Sequence, residues 1–273
     1  MDVDQKYRID RTNRTNQRML ATVDLQRGDL ILSEDHLIGL DVGPRRIFSS
    51  DDFYDIQSKY HGALILEQRA GELTEAKRAA LFALHRKPGI RNKYLALTWG
   101  NSFERHVKVG NVGYFVVEIF DNISRINHSC CPNAVYDWNP LRGEEGQGTI
   151  YATKPISAGN EITICYFPNV KDWLKSGSDR NKELEENYDF TCSCEACTGR
   201  VRWNTADDTV RKDTRLLQRQ ILADSKKRLE GEHDFTDHDS NVHLDRSDQL
   251  KRLWSYINNL KRLGTADGKL ADA

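Results

Sequence analysis

The stretch Arg125-Ile-Asn-His-Ser-Cys-Cys-Pro-Asn133, followed far downstream by Cys192-Ser-Cys-Glu-Ala-Cys197, decides how this chain is read. The second group places three soft ligands, Cys192, Cys194 and Cys197, on one short loop. Structural zinc takes four ligands in a tetrahedron, with sulfur at about 2.3 Å, so three thiolates leave such a site one ligand short. The fourth must come from elsewhere, and Cys130, Cys131, Cys165 or a histidine can supply it. Free cysteines packed as small hydrophobes are the competing reading. That suits Cys165, flanked by apolar alternation, but not the cysteine loop, whose intervening residues are small and polar. A zinc staple with no chemistry attached also stays open at this point.

The rest of the chain bounds the problem. Hydrophobic residues make up 38% and charged residues 30% of the 273, the balance of a polar, soluble globular protein. No run approaches the roughly 18 apolar residues of a membrane span, so no membrane partner is expected. The opening Met1-Asp-Val-Asp-Gln-Lys6 has no apolar h-region, and an intracellular protein is expected, in the nucleus and/or the cytoplasm. In that setting six cysteines read as a thiolate set, not a disulfide framework. The net charge of −1, with signs interspersed, gives no phosphate-neutralising surface, so direct nucleic-acid binding is not expected.

Two segments share one pattern. Met19–Glu34 alternates apolar and polar residues around Gly28-Asp29, and Ile150–Tyr166 repeats this around Gly159-Asn160. Ala21-Thr22 matches Ala152-Thr153, Leu25 matches Ile156, and Gly28 matches Gly159. Each reads as strand, turn, strand, and together they imply a compact β architecture of short strands. The polar residues 1–15 read as poorly ordered. Between the two units, Thr74 is a candidate N-cap for a helix over 75–85 that Pro88-Gly89 ends, with a weaker helical stretch over Asp51–Leu66. A further helix is expected from Asp179 toward Tyr188. Two amphipathic helices should follow Arg200, one through Val210, Leu217, Ile221 and Leu229, the other through Leu250–Leu263 with Ser247 and Gly264 as candidate caps. Glu230–Asn241 between them reads as a loop.

Several motifs in order carry a resemblance. Asn101-Ser-Phe103, Arg125–Asn133, Gly159-Asn-Glu-Ile-Thr-Ile-Cys-Tyr166, Arg180, Tyr188 and Phe190-Thr-Cys-Ser-Cys-Glu-Ala-Cys197 resemble the core and post-SET motifs of SET-domain protein lysine methyltransferases. The similarity is closest to the branch with the SET-and-MYND and fungal SET proteins, without a MYND finger. It implies an α+β class, a β-rich SET domain of short strands with a pseudoknot, a helical insert, a zinc-bound post-SET loop and C-terminal helices. The implied division is a polar segment 1–15, SET N-terminal β part 16–48, helical insert 49–112, SET C-terminal core 113–168, post-SET zinc region 169–200 and helical appendage 201–273.

The resemblance also implies roles. Cys130 would join Cys192, Cys194 and Cys197 on one structural zinc. S-adenosylmethionine would be contacted by Asn101, Ser124, Asn127, His128 and Phe190, with Asn16 and Arg18 at the first strand and Tyr166 facing the reacting methyl. The partner would be a protein substrate presenting a lysine, histone or non-histone. Methyl transfer from a sulfonium to an amine needs orientation and a neutral lysine, not a protein nucleophile. An apolar aromatic channel, with Tyr166 at its mouth, favours the neutral amine by disfavouring the ammonium form.

One departure bears on activity. Where the family has Gly-x-Gly, this chain has Asn16-Gln17-Arg18, and side chains replace hydrogens where backbone approaches the cofactor closely. A second reading therefore stands beside the enzyme: a catalytically degenerate SET scaffold that acts as a protein-binding module with a structural zinc. Asn160, in place of an acidic residue before Glu161, suits a turn and changes little.

Overall fold

The computed structural model describes residues 5–12, 17–44, 56–109, 112–143, 146–167, 170–198, 204–229 and 246–262. The chain divides into two units interleaved along the sequence. The first comprises Met1–Asn127, Asn133–Ile164 and Leu184–Phe190, and the second His128–Pro132, Cys165–Glu183 and Thr191–Ala273.

The first unit holds the β structure. Strands β1 (Tyr7–Asp10) and β2 (Arg18–Ala21) pair antiparallel. For residues 5–12 this corrects the expectation of poor order, while residues 1–4 and 13–15 lie outside the described set: Tyr7 and Asp10 are buried, and Tyr7-Arg-Ile9 supplies a short apolar/polar alternation. Strand β3 (Leu30–Glu34) and, later in the chain, β8 (Ala134–Asn139) flank β9 (Gln147–Ala152) in one antiparallel sheet. A second sheet has the order β4 (Ile38–Pro44), β6 (Val112–Ile119), β5 (Ser102–Val109). Two-residue strands β7 (Asn127–His128) and β10 (Thr163–Ile164) complete the set.

The repeated sequence units turn out to pair with each other. Leu25 and Ile156 exchange backbone hydrogen bonds at 2.8 and 3.0 Å. Around that pair the bonds come in equivalent couples. Gly28 N donates to Ala152 O as Gly159 N donates to Ala21 O, and Ala152 N donates to Asp29 O as Ala21 N donates to Asn160 O. Matched positions thus exchange roles about a local two-fold. Gly28 and Gly159 both adopt positive φ, +90° and +84°, a backbone conformation that glycine enters without a Cβ penalty.

The region 49–112 is helical only in part. Helix α1 (Ile56–Glu72) overlaps the weaker expectation and runs beyond it; residues 51–55 lie outside the described set. Helix α2 (Glu75–Phe82) begins where expected, with Thr74 Oγ1 accepting from Lys77 N, and ends at Ala83, short of His85. Helix α3 (Lys93–Asn101) was not anticipated, although Asn92 caps it by accepting from Tyr94 N and Leu95 N. At Ser102 the backbone turns extended, and β5 and β6 form a long antiparallel pair in place of helix. The β-branched and aromatic density of Val107–Ile119 is the signal for it. Leu66, Ala70, Leu81, Leu84 and Leu97 pack with Leu37, Ile38, Val117 and Ile119, so helices α1 to α3 cover the second sheet with one buried cluster.

The second unit is mainly helical: α4 (Val170–Trp173), the start of α5 (Gly177–Tyr188), α6 (Glu195–Thr198), α7 (Asn204–Leu229) and α8 (Arg246–Arg262). α5 and the two C-terminal helices match the sequence expectation; Ser247 falls inside α8, while Gly264 and the stretch 230–241 lie outside the described residues. Among the described residues no helix is long and apolar enough to cross a membrane.

Candidate functional site

Cys130 is the hub of the second unit. Its Sγ lies with those of Cys192, Cys194 and Cys197 in a cluster whose ligand atoms are all within 4.8 Å of one another. Cys130 Sγ and Cys197 Sγ are 3.6 Å apart, close to the roughly 3.8 Å edge of a tetrahedron with metal–sulfur bonds of about 2.3 Å. Four thiol sulfurs with no oxygen donor suit zinc and do not suit magnesium or calcium. Cys131 and Cys165 stand outside this group of four.

The surroundings show which charge state the cluster is built for. Arg180 is fully buried, yet its Nε donates to Cys130 Sγ at 3.2 Å and its Nη2 reaches Cys197 Sγ at 3.6 Å. Burial works to lower its pKa, but the charges of Cys130 and Cys197 outweigh this and hold it above the ordinary arginine value. Among themselves neighbouring thiols share protons. Hydrogen bonds to Cys192, Cys194 and Cys197, and then burial, push the Cys130 thiol up. Hydrogen bonds from Cys130 pull Cys194 down, and Cys197 to about 7. A protonated Cys130 is at odds with N–H donors converging on its sulfur, because donors favour the thiolate. A bound divalent cation resolves the conflict by displacing the protons.

The main chain of Cys130 is held as firmly. Trp173 Nε1 donates to Cys130 O at 2.8 Å, and Arg211 Nη2 donates to the same oxygen at 3.1 Å. Arg211 is itself buried, stacked 4.2 Å over the Trp173 ring, with Nη1 on Trp173 O. The cysteine loop is fixed by Asn181 Oδ1, which accepts from Cys192 N at 2.8 Å. Trp173 and Arg211 were not singled out from sequence, and Arg180 was named there only as a recurring motif residue without a role.

His128, in the same unit, is buried with both ring nitrogens engaged. Nδ1 accepts from Tyr166 N at 2.9 Å, and Nε2 lies 3.3 Å from Cys130 Sγ. Tyr166 packs against the His128 ring at 5.2 Å between centroids, and Phe167 meets it edge-on at 5.3 Å. His128 and Tyr166, two of the candidate cofactor residues, are therefore brought together with the cysteine cluster.

Asn101, Ser124, Asn127 and Phe190 belong to the first unit. Ser124 Oγ donates to Asn101 O and accepts from Phe120 N, tying two candidates together. Asn101 is buried; its Nδ2 donates to His85 O and Leu97 O, while its Oδ1 has no partner among the described residues. A buried, unsatisfied carbonyl oxygen is costly unless a donor arrives. Asn127 Nδ2 donates to Gln17 O at 3.0 Å and to Glu161 Oε1 at 2.8 Å. Phe190 packs with Tyr188 at 6.4 Å, just past Asp189, whose φ of 59° ends α5.

The turn before Asn127 is held by an unanticipated residue. Glu34 accepts from Asn122 N, Asn122 Nδ2 and Ile123 N at 2.9, 3.0 and 2.6 Å, and burial raises its pKa. Arg125 Nη1 then reaches Gln17 Oε1 at 2.9 Å. Of the Asn16-Gln17-Arg18 segment, Asn16 lies outside the described residues. Gln17 braces Asn127 through its carbonyl, and Arg18, itself exposed, is paired with the buried Asp10 at 2.9 Å.

Residues 17–167, more than half of the chain, match the SET domain. The histone-lysine N-methyltransferase set5 of Schizosaccharomyces pombe is 36% identical over 98 residues, covering 36% of this chain and 27% of that protein. The N-lysine methyltransferase SMYD2 of Gallus gallus is 36% identical over 80 residues, covering 29% of this chain and 16% of that protein. The SET domain of LSMT bound to lysine and AdoHcy overlays with a TM-score of 0.40 at 14% identity, covering 72% of this chain and 55% of that one. The matches to set5 and SMYD2 thus span only a minor part of those relatives' own length. With the SET core matched across more than half its length, this chain belongs to the SET domain family.

Proposed function

We propose that the protein is an S-adenosylmethionine-dependent methyltransferase acting on lysine side chains of protein substrates. The observation that supports this best is the set of motif residues ordered around Cys130: His128 lies against a four-cysteine cluster suited to zinc, and Tyr166 lies against His128. Zinc, held by Cys130, Cys192, Cys194 and Cys197, supplies structure and no reacting group. Bound S-adenosylmethionine supplies an activated methyl on a sulfonium.

This chain's residues orient and desolvate. Asn101 offers its buried Oδ1 to a donor on the cofactor, and Ser124 fixes the Asn101 backbone. Asn127, braced by Gln17 and Glu161, and Phe190 bound the cofactor side, with Asn16 and Arg18 as further contacts. The contribution of His128 is through its main chain and ring edge, since both ring nitrogens are engaged. Tyr166 faces the incoming lysine; an aromatic wall with one hydroxyl favours the neutral amine, whose unperturbed pKa is about 10.4. The substrate is a lysine-presenting protein, histone or non-histone, met in the nucleus and/or the cytoplasm.

Incubation of the zinc-loaded protein with methyl-labelled S-adenosylmethionine and a lysine-bearing protein extract tests the assignment. Label should enter lysine, and Tyr166→Phe should reduce turnover while leaving cofactor affinity within about threefold. Label absent from lysine under these conditions, or unchanged turnover in the variant, would remove the role given to Tyr166. The second reading, a SET scaffold that binds a protein without catalysis, is favoured by one observation. Arg18, at the replaced glycine position, is spent on Asp10. Retained partner binding without cofactor binding would establish it.

A further inference from the structure

Among the described residues, Asp189 is the one non-glycine with positive φ, at 59°. An L residue enters that left-handed region at a cost that glycine escapes, and glycine is the usual choice just past a helix end. Here α5 ends at Tyr188, an aspartate follows, and Phe190 comes next. What the aspartate adds over glycine is a side chain, and that side chain is tethered. Lys87 Nζ lies 3.7 Å from Asp189 Oδ2. The same ammonium donates to Glu186 O at 2.5 Å, one of the last-turn carbonyls for which the helix has no donor of its own. Asp189 N closes the turn on Glu185 O at 3.1 Å. The ammonium also stands 5.0 Å over the Trp99 ring, and the Lys87 side chain is only 12% exposed. A cation held there complements the negative end of the helix dipole.

Lys87 is itself anchored on α3. Its backbone N–H donates to Ala96 O at 3.0 Å, and two residues earlier His85 O accepts from Asn101 Nδ2 at 2.7 Å. The short segment from His85 to Lys87 is thus bound to α3 at one end through Asn101 and reaches the turn before Phe190 at the other. We infer that Lys87 is a positioning residue: with Asp189 it fixes the direction in which the chain leaves α5, and so holds Phe190 in a constant relation to α3, the helix that carries Asn101. Without the ammonium, the left-handed turn loses its tether and Phe190 its fixed direction. The inference rests on the methyltransferase reading for the use made of Phe190 and Asn101; the tether itself does not depend on that reading.

The test uses the zinc-loaded full chain, with S-adenosylhomocysteine, the demethylated product, as ligand. Lys87→Met keeps an unbranched chain over Trp99 but neither charge nor donor. In it, hydrogen exchange of the Asp189 amide should speed up by about fivefold or more. Lys87→Arg can still donate to Glu186 O and pair with Asp189, and should stay within about threefold of wild type. Binding is read by calorimetry as a double-mutant cycle. Lys87→Met should weaken the ligand about fivefold and Phe190→Ala about tenfold, while the double variant should be no more than about twofold weaker than Phe190→Ala alone. Asp189→Gly suits the left-handed backbone; it should unfold in urea no earlier than wild type, yet bind the ligand about threefold more weakly or worse. Unchanged exchange of the Asp189 amide in Lys87→Met would overturn the inference. So would a double variant about fiftyfold weaker than wild type, because Lys87 would then act independently of Phe190. A glycine variant that binds as tightly as wild type would overturn it too, since the carboxylate would then be dispensable. If the methionine variant does not fold, the glycine variant decides the matter alone. If the wild type binds no S-adenosylhomocysteine, that failure counts against the methyltransferase reading, and the Asp189 exchange rates still decide the tether.

Discussion

Arg180→Met should strip the cysteine cluster of its buried counter-cation while keeping a flexible apolar chain in the same space. The guanidinium is 0% exposed and touches Cys130 Sγ, Cys197 Sγ, Lys175 O and Ala196 O at 3.2, 3.6, 2.6 and 3.4 Å. A divalent ion on four thiolates leaves two net negative charges in a poorly hydrated place, and Arg180 offsets one of them. Removing one partner of a buried charged pair costs about 3–5 kcal/mol. Part of that falls on the fold, through the two carbonyls that lose this donor. The part that falls on the metal should follow other outer-sphere losses, about 10–100-fold in affinity, or roughly 1.4–2.8 kcal/mol. Arg180→Lys keeps the charge but not the planar fork, and should lie between the two. Zinc affinity is read by competition against a chromophoric chelator, with circular dichroism confirming that each variant is folded. A folded methionine variant that holds zinc within about threefold of wild type would refute the reasoning, because Arg180 is the cation that donates to the sulfurs of Cys130 and Cys197.

Further expectations are as concrete. Glu34→Ala leaves two backbone N–H groups of the turn before Asn127 without acceptors and should lower stability by about 2–3 kcal/mol in urea unfolding; Glu34→Gln should recover most of it, since one oxygen can still accept both. Hydrogen bonds from Thr12, and then Arg18, hold Asp10 at about 2, below its usual 3.8. A depressed carboxyl stabilises the fold above the unfolded value and loses that contribution as pH falls through the folded one. The stability gap between wild type and Asp10→Asn should therefore be full above pH 4 and shrink toward pH 2, and a gap constant across that range would contradict the assignment. Cys194→Ser should speed zinc release and raise amide exchange near Cys130 as well as near Cys192; protection lost at only one of the two would argue against a shared site.

Much of this was legible in the chain because it depends on local spacing. The three-cysteine loop declares itself as a metal motif, and Gly28 and Gly159 mark turns that both adopt positive φ. The repeat around them is visible as a pattern. That its two copies hydrogen-bond to each other is not, since pairing between distant segments leaves no local trace. Spacing alone left three cysteines or a histidine for the fourth cluster ligand; the resemblance named Cys130, and the geometry places its sulfur with the other three. The β5–β6 pair was lost beneath the expectation of a helical insert, although Val107–Ile119 is rich in strand-forming residues. Arg180 was named only as a recurring motif residue without a role and Arg211 not at all, and only packing shows them buried on Cys130. His128 was expected to face the cofactor, while its second nitrogen reaches the cysteine cluster, a relation that needs three dimensions.

Calorimetric titration of the zinc-loaded protein with S-adenosylmethionine and with its demethylated product tests the enzymatic assignment most directly. Saturable binding of both ligands, weakened by at least about tenfold in Asn101→Ala, is the result expected from the unsatisfied Oδ1 buried at that position. No binding of either ligand at millimolar concentration would contradict it and leave a zinc-stapled SET scaffold.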